Sequence, residues 1–304
     1  MPKEKLITAG GQAVIEGVMM RSTNHIAIAV RKPNGKISLK KDKLKPLGER
    51  CKIFAWPFIR GVFNLGEMLI YGIKAINYSA NESSDEEDEQ LSSWHIVLSM
   101  VIAFAFAIAL FKFVPLLLAQ LASNTFAFVK DNYIIFNLID GLLKILLFIA
   151  YVLVISLMDD VKRLFQYHGA EHMAVHCYEA KKKLTVANVK KYSTLHPRCG
   201  TSFILIVLVL SIIIYTFIPQ TVNFWSKLGL RLLLLPVIAG VSYEILRLAG
   251  KFSDNIIMRI VVWPGMMMEK ITTSIPDNKQ IEVSIKALEA VLKEVKKDSK
   301  KKKP

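Results

Sequence analysis

Residues 96–118 read IVLSMVIAFAFAIALFKFVPLLL, and the character of this stretch decides the fold. It holds one charge, Lys112, and one helix breaker, Pro115. A helix in water keeps a polar face opposite its apolar stripe, and this run has no such face. About 20 such residues in helical form cross a hydrocarbon core of about 30 Å. Working outward, three further stretches share the character: 138–158, 201–218 (closed by Pro219) and 228–248, the last containing Arg231, Glu244 and Arg247. The expectation is an α-helical polytopic membrane protein with four transmembrane helices, a small N-terminal β-containing cytoplasmic unit and a C-terminal amphipathic helix.

Composition supports this class. The chain has 304 residues, 53% of them hydrophobic, and a net charge of +15. Such hydrophobicity excludes a largely disordered chain, and three cysteines exclude a disulfide-stapled secreted scaffold. The opening MPKEKLITAGG lacks the apolar core of a secretory signal. Lysine and arginine are unevenly spread: 14 precede residue 95, 8 lie in 159–200 and 12 follow residue 248, while the connections 119–137 and 219–227 hold one each. Positive charge stays on the cytoplasmic side. Both termini and the central loop are therefore expected in the cytoplasm, with the chain in the cytoplasmic (inner) membrane. The expected partners are the bilayer, anionic lipid headgroups at the basic segments, worth about 1 kcal/mol per charge near the surface, and a membrane-protein partner or second copy. Nucleic acid or the ribosome ranks behind lipid for the tail KKDSKKKKP, which interleaves no aromatic residue for stacking.

Five segments follow. Residues 1–56 read as a cytoplasmic β-hairpin unit: apolar residues alternate at Ile26, Ile28 and Val30 and again at Ile37 and Leu39, around the turn signal Pro33-Asn34-Gly35. Residues 14–20 would add a third strand. Residues 57–80 read as an amphipathic helix, interfacial or re-entrant. The acidic stretch 81–94 is a solvated linker. Residues 95–250 form the four-span domain with a His-rich cytoplasmic loop, 159–200. Residues 251–304 hold an apolar stretch broken by Pro264-Gly265, an amphipathic helix at 279–297 and the basic tail. That helix needs a partner for its stripe, most simply the β unit.

The chemistry-bearing segment is YHGAEHMAVHCYEA, residues 167–180. His168, Glu171, His172, His176 and Glu179 recur every three or four positions, on one face of a helix. The order His168-x-x-Glu171-His172 is that of the inverted zinc-protease motif, in which two histidines hold zinc and the glutamate is general base. His168 and His176 lie about 12 Å apart along a helix, too far to share one ion. The pair is either His168/His172 or His172/His176. His196, Cys199 and Glu16 are candidates for a third ligand, and a divalent metal, zinc first, is the expected cofactor. Glu171 is the catalytic candidate. The bland alternative has these histidines bonding backbone carbonyls or headgroups. A helix continuing from the second span would carry His168 about 15 Å past the membrane face, so either the loop folds back or the helix breaks, with Gly169 the candidate position. The charges Asp140, Lys144, Glu244 and Arg247 read as paired anchors snorkelling from span ends.

GGQAVIEGVMMR (10–21), YHGAEHMAVHCYE (167–179), HPRCGTSF (196–203) and WPGMMMEKITTSIPDNKQIEVSIKAL (263–288) together resemble the YqhQ-like family, bacterial membrane proteins grouped as domain of unknown function 1385. The resemblance spans nearly the whole chain and implies a metal-dependent enzyme. In the first motif, Glu16 and Arg21 either join the site or close a tight turn as a salt bridge. Three functions are weighed: metal-assisted hydrolysis of a membrane-proximal substrate, a non-catalytic scaffold or assembly factor with a closed structural metal site, and a transporter using Asp140 or Glu244.

Overall fold

The computed structural model describes residues 7–44, 52–84, 93–218, 222–252 and 255–301. Most of the acidic linker, Cys51 and the last three residues of the basic tail lie outside the described residues. Four strands, β1 (Gly10–Val14), β2 (Gly17–Ser22), β3 (His25–Arg31) and β4 (Ile37–Lys43), form an antiparallel meander. The β3–β4 turn falls at Pro33-Asn34-Gly35, where Gly35 takes φ 79° and Asn34 Oδ1 accepts from Lys36 N–H. Where one strand was expected over 14–20, the chain makes two, turning at Ile15-Glu16 with Val14 opposite Gly17. Glu16 occupies φ 50°, a region costly for a residue with a Cβ. Its carboxylate is held there by Arg163 Nη2 (2.6 Å) and Tyr167 OH (3.2 Å).

The longer helices are α1 (Ile59–Ser83), α2 (Ser93–Ile108), which runs through a π turn (Ala109–Phe113) into α3 (Val114–Thr125), α4 (Tyr133–Ile155), α5 (Asp159–Glu179), α6 (Gly200–Tyr215), α7 (Phe224–Leu233), α8 (Leu235–Lys251), α9 (Ile256–Thr272) and α10 (Asn278–Lys301). The sheet is covered on both faces, because alternate residues of β2 and β3 are apolar on each side. Val14, Met19, Ile26, Ile28 and Val30 pack on α1 through Ala75, Met68 and Tyr71. Val18, Met20, Ala27 and Ala29 pack on α5 and α10 through Tyr167, Ala170, Ala174, Ile281 and Leu288. The amphipathic C-terminal helix thus lays its stripe on the β unit and on the His-bearing helix together.

Two helical stretches are long and apolar enough to cross a membrane, Leu98–Thr125 and Tyr133–Ile155. The pair α7–α8 passes the same test only jointly, bent by 41°. Pro236 in the first turn of α8 cannot donate a backbone hydrogen bond, which permits that break. Helix α6 is apolar throughout but has 16 residues, about 24 Å at 1.5 Å per residue. The described chain therefore offers two candidate spans, or three with the bent pair, where composition alone suggested four.

Two further expectations are corrected. Asp140 and Lys144 do not snorkel: each is 1% exposed, as is Arg231 beside them. Lys144 and Arg231 (Nη1, 2.8 Å) both pair with Asp140, and Arg231 Nη2 donates to Asn137 Oδ1 at 3.0 Å. Lys144 and Arg231 also lie over the Tyr215 ring, at 4.8 and 4.9 Å, so the aromatic face takes up part of the excess positive charge. Glu244 pairs mainly across helices, accepting from Arg60 at 2.5 and 2.7 Å, with Arg247 at 3.8 Å. The helix break that redirects α5 comes at 156–158, not at Gly169. Gly169 instead admits a crossing segment: Ser274 N–H donates to Phe165 O at 3.0 Å, and a Cβ on Gly169 would overlap Ser274 O.

Candidate functional site

Helix α5 carries its histidines one turn apart, and the chain segments packed against it set the tautomer of each. His168 Nδ1–H donates to Thr272 O at 2.9 Å, and His172 Nδ1–H donates to Thr194 O at 2.5 Å. A carbonyl can only accept, so each neutral ring presents the lone pair of Nε2. Both lone pairs face the same space. Cys199, N-cap of α6, brings Sγ to 3.3 Å from His168 Nε2, and Glu171 Oε2 stands 3.4 Å from His172 Nε2. Two acceptors facing each other at that distance repel unless a cation or a proton lies between them.

The spacing suits a metal. Zinc bonds of about 2.0–2.3 Å in a tetrahedron separate neighbouring ligand atoms by roughly 3.3–3.7 Å, the range of both contacts. Ligand atoms of His168, His172 and Cys199 all lie within 4.8 Å of one another. Two imidazoles and a thiol are a borderline-soft donor set that suits zinc over magnesium or calcium. The carbonyls of Thr272 and Thr194 orient these rings in the way metal-bound histidines are usually held.

The remaining histidines form a second group. His176, Glu179 and His196 offer ligand atoms within 4.8 Å of one another. His176 Nε2–H donates to Leu195 O at 2.8 Å. His196 Nδ1 accepts from Arg198 N–H at 3.2 Å, which places the hydrogen of the neutral ring on Nε2. That buried Nε2 faces Glu179 at 3.5 Å. This group is therefore a poorer fit to a cation than the first. Burial lowers the pKa of both His176 and His196, although the Leu195 carbonyl opposes it at His176 and Glu171 and Glu269 oppose it at His196.

The structure separates the other candidates. Glu16 belongs to neither group; it sits at the β1–β2 turn with Arg163 and Tyr167, and burial followed by the Glu16 charge pushes the Tyr167 phenol up. Arg21 pairs with Glu67 at 3.4 Å rather than with Glu16. It does line a cavity of about 570 Å³ that has His168, Glu171, His172, Arg198 and Cys199 in its walls. Strand β1 supplies another wall. Gly11 lies so close to α5 that an added Cβ would stand 3.1 Å from Glu171 Cγ.

Sequence reasoning missed Glu269. This carboxylate is 0% exposed, accepts from His196 N–H (2.7 Å) and Ser202 Oγ–H (3.3 Å), and lies 3.8 Å from His172 Nδ1. It ties α9 to the HPRCG segment and to α6. One signal was present: Glu269 is the lone acid of α9, in a helix otherwise apolar apart from Arg259, Lys270 and Thr272.

The fold and the site define a mostly helical protein with a small N-terminal antiparallel sheet, whose sheet, His-bearing helix and apolar helices meet around one polar cavity. The chain belongs to the family described as "Protein of unknown function (DUF1385)", which matches residues 56–294. It is 33% identical to the "Uncharacterized protein YqhQ" of Bacillus subtilis (strain 168) over 307 residues, covering 96% of this chain and 95% of that protein. No solved structure matches it.

Proposed function

We propose that this chain is a four-span protein of the cytoplasmic membrane, and that His168, His172 and Cys199 hold a divalent metal, zinc by their chemistry, for hydrolysis of a membrane-proximal substrate. The observation that carries the reading is the convergence of two histidine lone pairs, a thiol and the Glu171 carboxylate on the wall of a cavity of about 570 Å³. Three ligands beside open space are the arrangement of catalytic zinc, whereas structural zinc is enclosed by four. When bound, the metal supplies Lewis acidity to an oxygen of water or substrate. Glu171, on the same wall, takes the proton as general base. Arg21 and Arg198 orient an anionic group, and the Thr272 and Thr194 carbonyls keep the two rings in register.

The four-span topology rests on the charge distribution. An even number of crossings keeps the three basic regions on one side, with α2–α3, α4, α6 and the bent α7–α8 as the crossings. Helix α6 is the shortest, and bilayers thin locally to accommodate short spans. A second reading has one specific support: Glu171, 3.4 Å from His172 Nε2, could itself become the fourth ligand. The site would then be closed and structural, in a scaffold.

The test is metal content by mass spectrometry on protein purified in mild detergent without chelator, beside His172→Ala and Cys199→Ala. About one equivalent of zinc, lost in both variants, is the expected result. A folded protein that stays empty after metal is supplied refutes the metal reading. An ion with no exchangeable water turns the choice to the scaffold.

A further inference from the structure

A second cavity, about 450 Å³, is lined by residues that follow those of the first along the chain. Cys199, Gly200 and Thr201 at the start of α6 line the polar cavity. Ser202, the next residue, lines the second, and below it the walls are apolar: Leu205, Val209 and Ile213 of α6, Ile245 and Leu248 of α8, Val261 of α9. Helix α8 straddles the same boundary, with Leu246 in the polar cavity and its neighbour Ile245 in the apolar one. Arg198 marks the junction. Its side chain lies against the end of α8, where a Cβ added to Gly250 would stand 3.2 Å from Arg198 Cδ. Ser202 Oγ–H is turned to Glu269, so its hydroxyl is satisfied within the wall.

From Ser202 to Ile213 the groove follows α6 for about 16 Å at 1.5 Å per residue. That is about half of the roughly 30 Å hydrocarbon thickness, the depth of one leaflet. The polar end is lined by Arg21, Arg198 and Glu171. Arg21 also holds Glu67 at 3.4 Å and Arg198 holds Glu179 behind the wall, but each guanidinium has five N–H donors, and arginine is the side chain suited to bidentate phosphate contacts. A site with two cationic forks at the top and a one-leaflet apolar slot beneath has the chemistry of one molecule.

We propose that the two cavities together bind a glycerophospholipid of the adjoining leaflet, its phosphate between Arg21 and Arg198 and one acyl chain in the α6–α8–α9 groove. This rests on the membrane reading above and deepens it: the substrate of the His168–His172–Cys199 site is a lipid ester or phosphoester presented from within the bilayer.

The experiment is photolabelling of the whole protein in maltoside micelles, which contain no phosphate. The probes are phosphatidylglycerol with a diazirine in one acyl chain and diacylglycerol with the same chain, with label mapped by peptide mass spectrometry. Phosphatidylglycerol is expected to label 205–213, 245–248 and 258–265 at least five-fold above the exposed apolar faces of α2 and α4. Val209→Trp should reduce groove labelling at least five-fold. Arg198→Gln should do so for phosphatidylglycerol and leave diacylglycerol unchanged. Label spread evenly over every apolar face, or groove labelling indifferent to both the headgroup and Arg198, overturns the proposal. Metal content measured on the same samples separates the two readings. Groove labelling without metal removes the metalloenzyme and leaves the lipid site, whereas metal with even labelling removes the lipid site alone.

Discussion

Replacing Gly169 by alanine sets two opposed effects against each other. Inside α5 the change gains about 1 kcal/mol of helix propensity. Against it stands the crossing segment: the new Cβ would overlap Ser274 O, a backbone atom fixed by the 3.0 Å bond from Ser274 N–H to Phe165 O, and would lie 3.1 Å from Thr194 Cγ2. Carbon and oxygen approach to about 3.3 Å, so the segment must retreat by roughly 1 Å. Overpacking of this kind costs about 1–3 kcal/mol, and weakening the Ser274–Phe165 bond adds about 1 kcal/mol. The clash wins, by about 1–3 kcal/mol net. The same retreat draws Thr272 O, two residues away, from His168 Nδ1. Loss of such an orienting bond typically lowers metal affinity 10–100-fold. The assay pairs thermal unfolding in detergent with metal affinity by chelator competition, using Gly66→Ala as control, since nothing lies within 4 Å of a Cβ at Gly66. Gly169→Ala should melt a few degrees below that control and release metal more readily. Equal or higher melting with unchanged affinity would refute the claim that the 274 crossing positions His168.

Three further outcomes are expected. Asp140→Ala should destabilise the bundle by about 3–5 kcal/mol by leaving Lys144 and Arg231 buried without their carboxylate; adding Lys144→Leu should recover part of this, read by denaturant titration in detergent. Glu269→Ala should cost about 1–3 kcal/mol because His196 N–H and Ser202 Oγ–H lose their acceptor, while Glu269→Gln, which retains a carbonyl oxygen, should cost less in the same melts. For pH, burial holds His176 and His196 below the ordinary 6.5, so the unfolded chain binds more protons than the folded one as the solution acidifies. Their contribution to the stability of metal-free protein is then complete above about pH 6.5 and lost as pH falls through the lower folded values; melting at pH 5.5 and 7.5 should show this, with a smaller difference in His196→Gln.

Much of the fold was legible because its signals are local. The turn at Pro33-Asn34-Gly35, the C-terminal amphipathic stripe and the long apolar helices follow from spacing and composition within a few turns of chain. The breaks were less legible. Pro236 and the three-residue turn after α4 act through backbone geometry, so an apolar count reads the bent α7–α8 as one span and a continuous helix into α5. The tight turn weighed at Glu16 forms between β1 and β2, but its partner was not legible: Arg163, 147 residues away, holds it instead of Arg21.

For the site, the sequence alone determined the inventory. His168, Glu171, His172 and His176 share a helical face because the α-helix repeats every 3.6 residues, and no more than two of the three histidines can share an ion for the same reason. Tertiary structure decided the partition. Cys199 joins His168 and His172, while His196 turns to His176 and Glu179, because the 194–199 segment runs beside α5 and offers its carbonyls and side chains turn by turn. Glu269 and Thr272 stand beside these residues only because α9 folds back against α6. That packing depends on contacts between residues far apart in the chain, which no local period encodes.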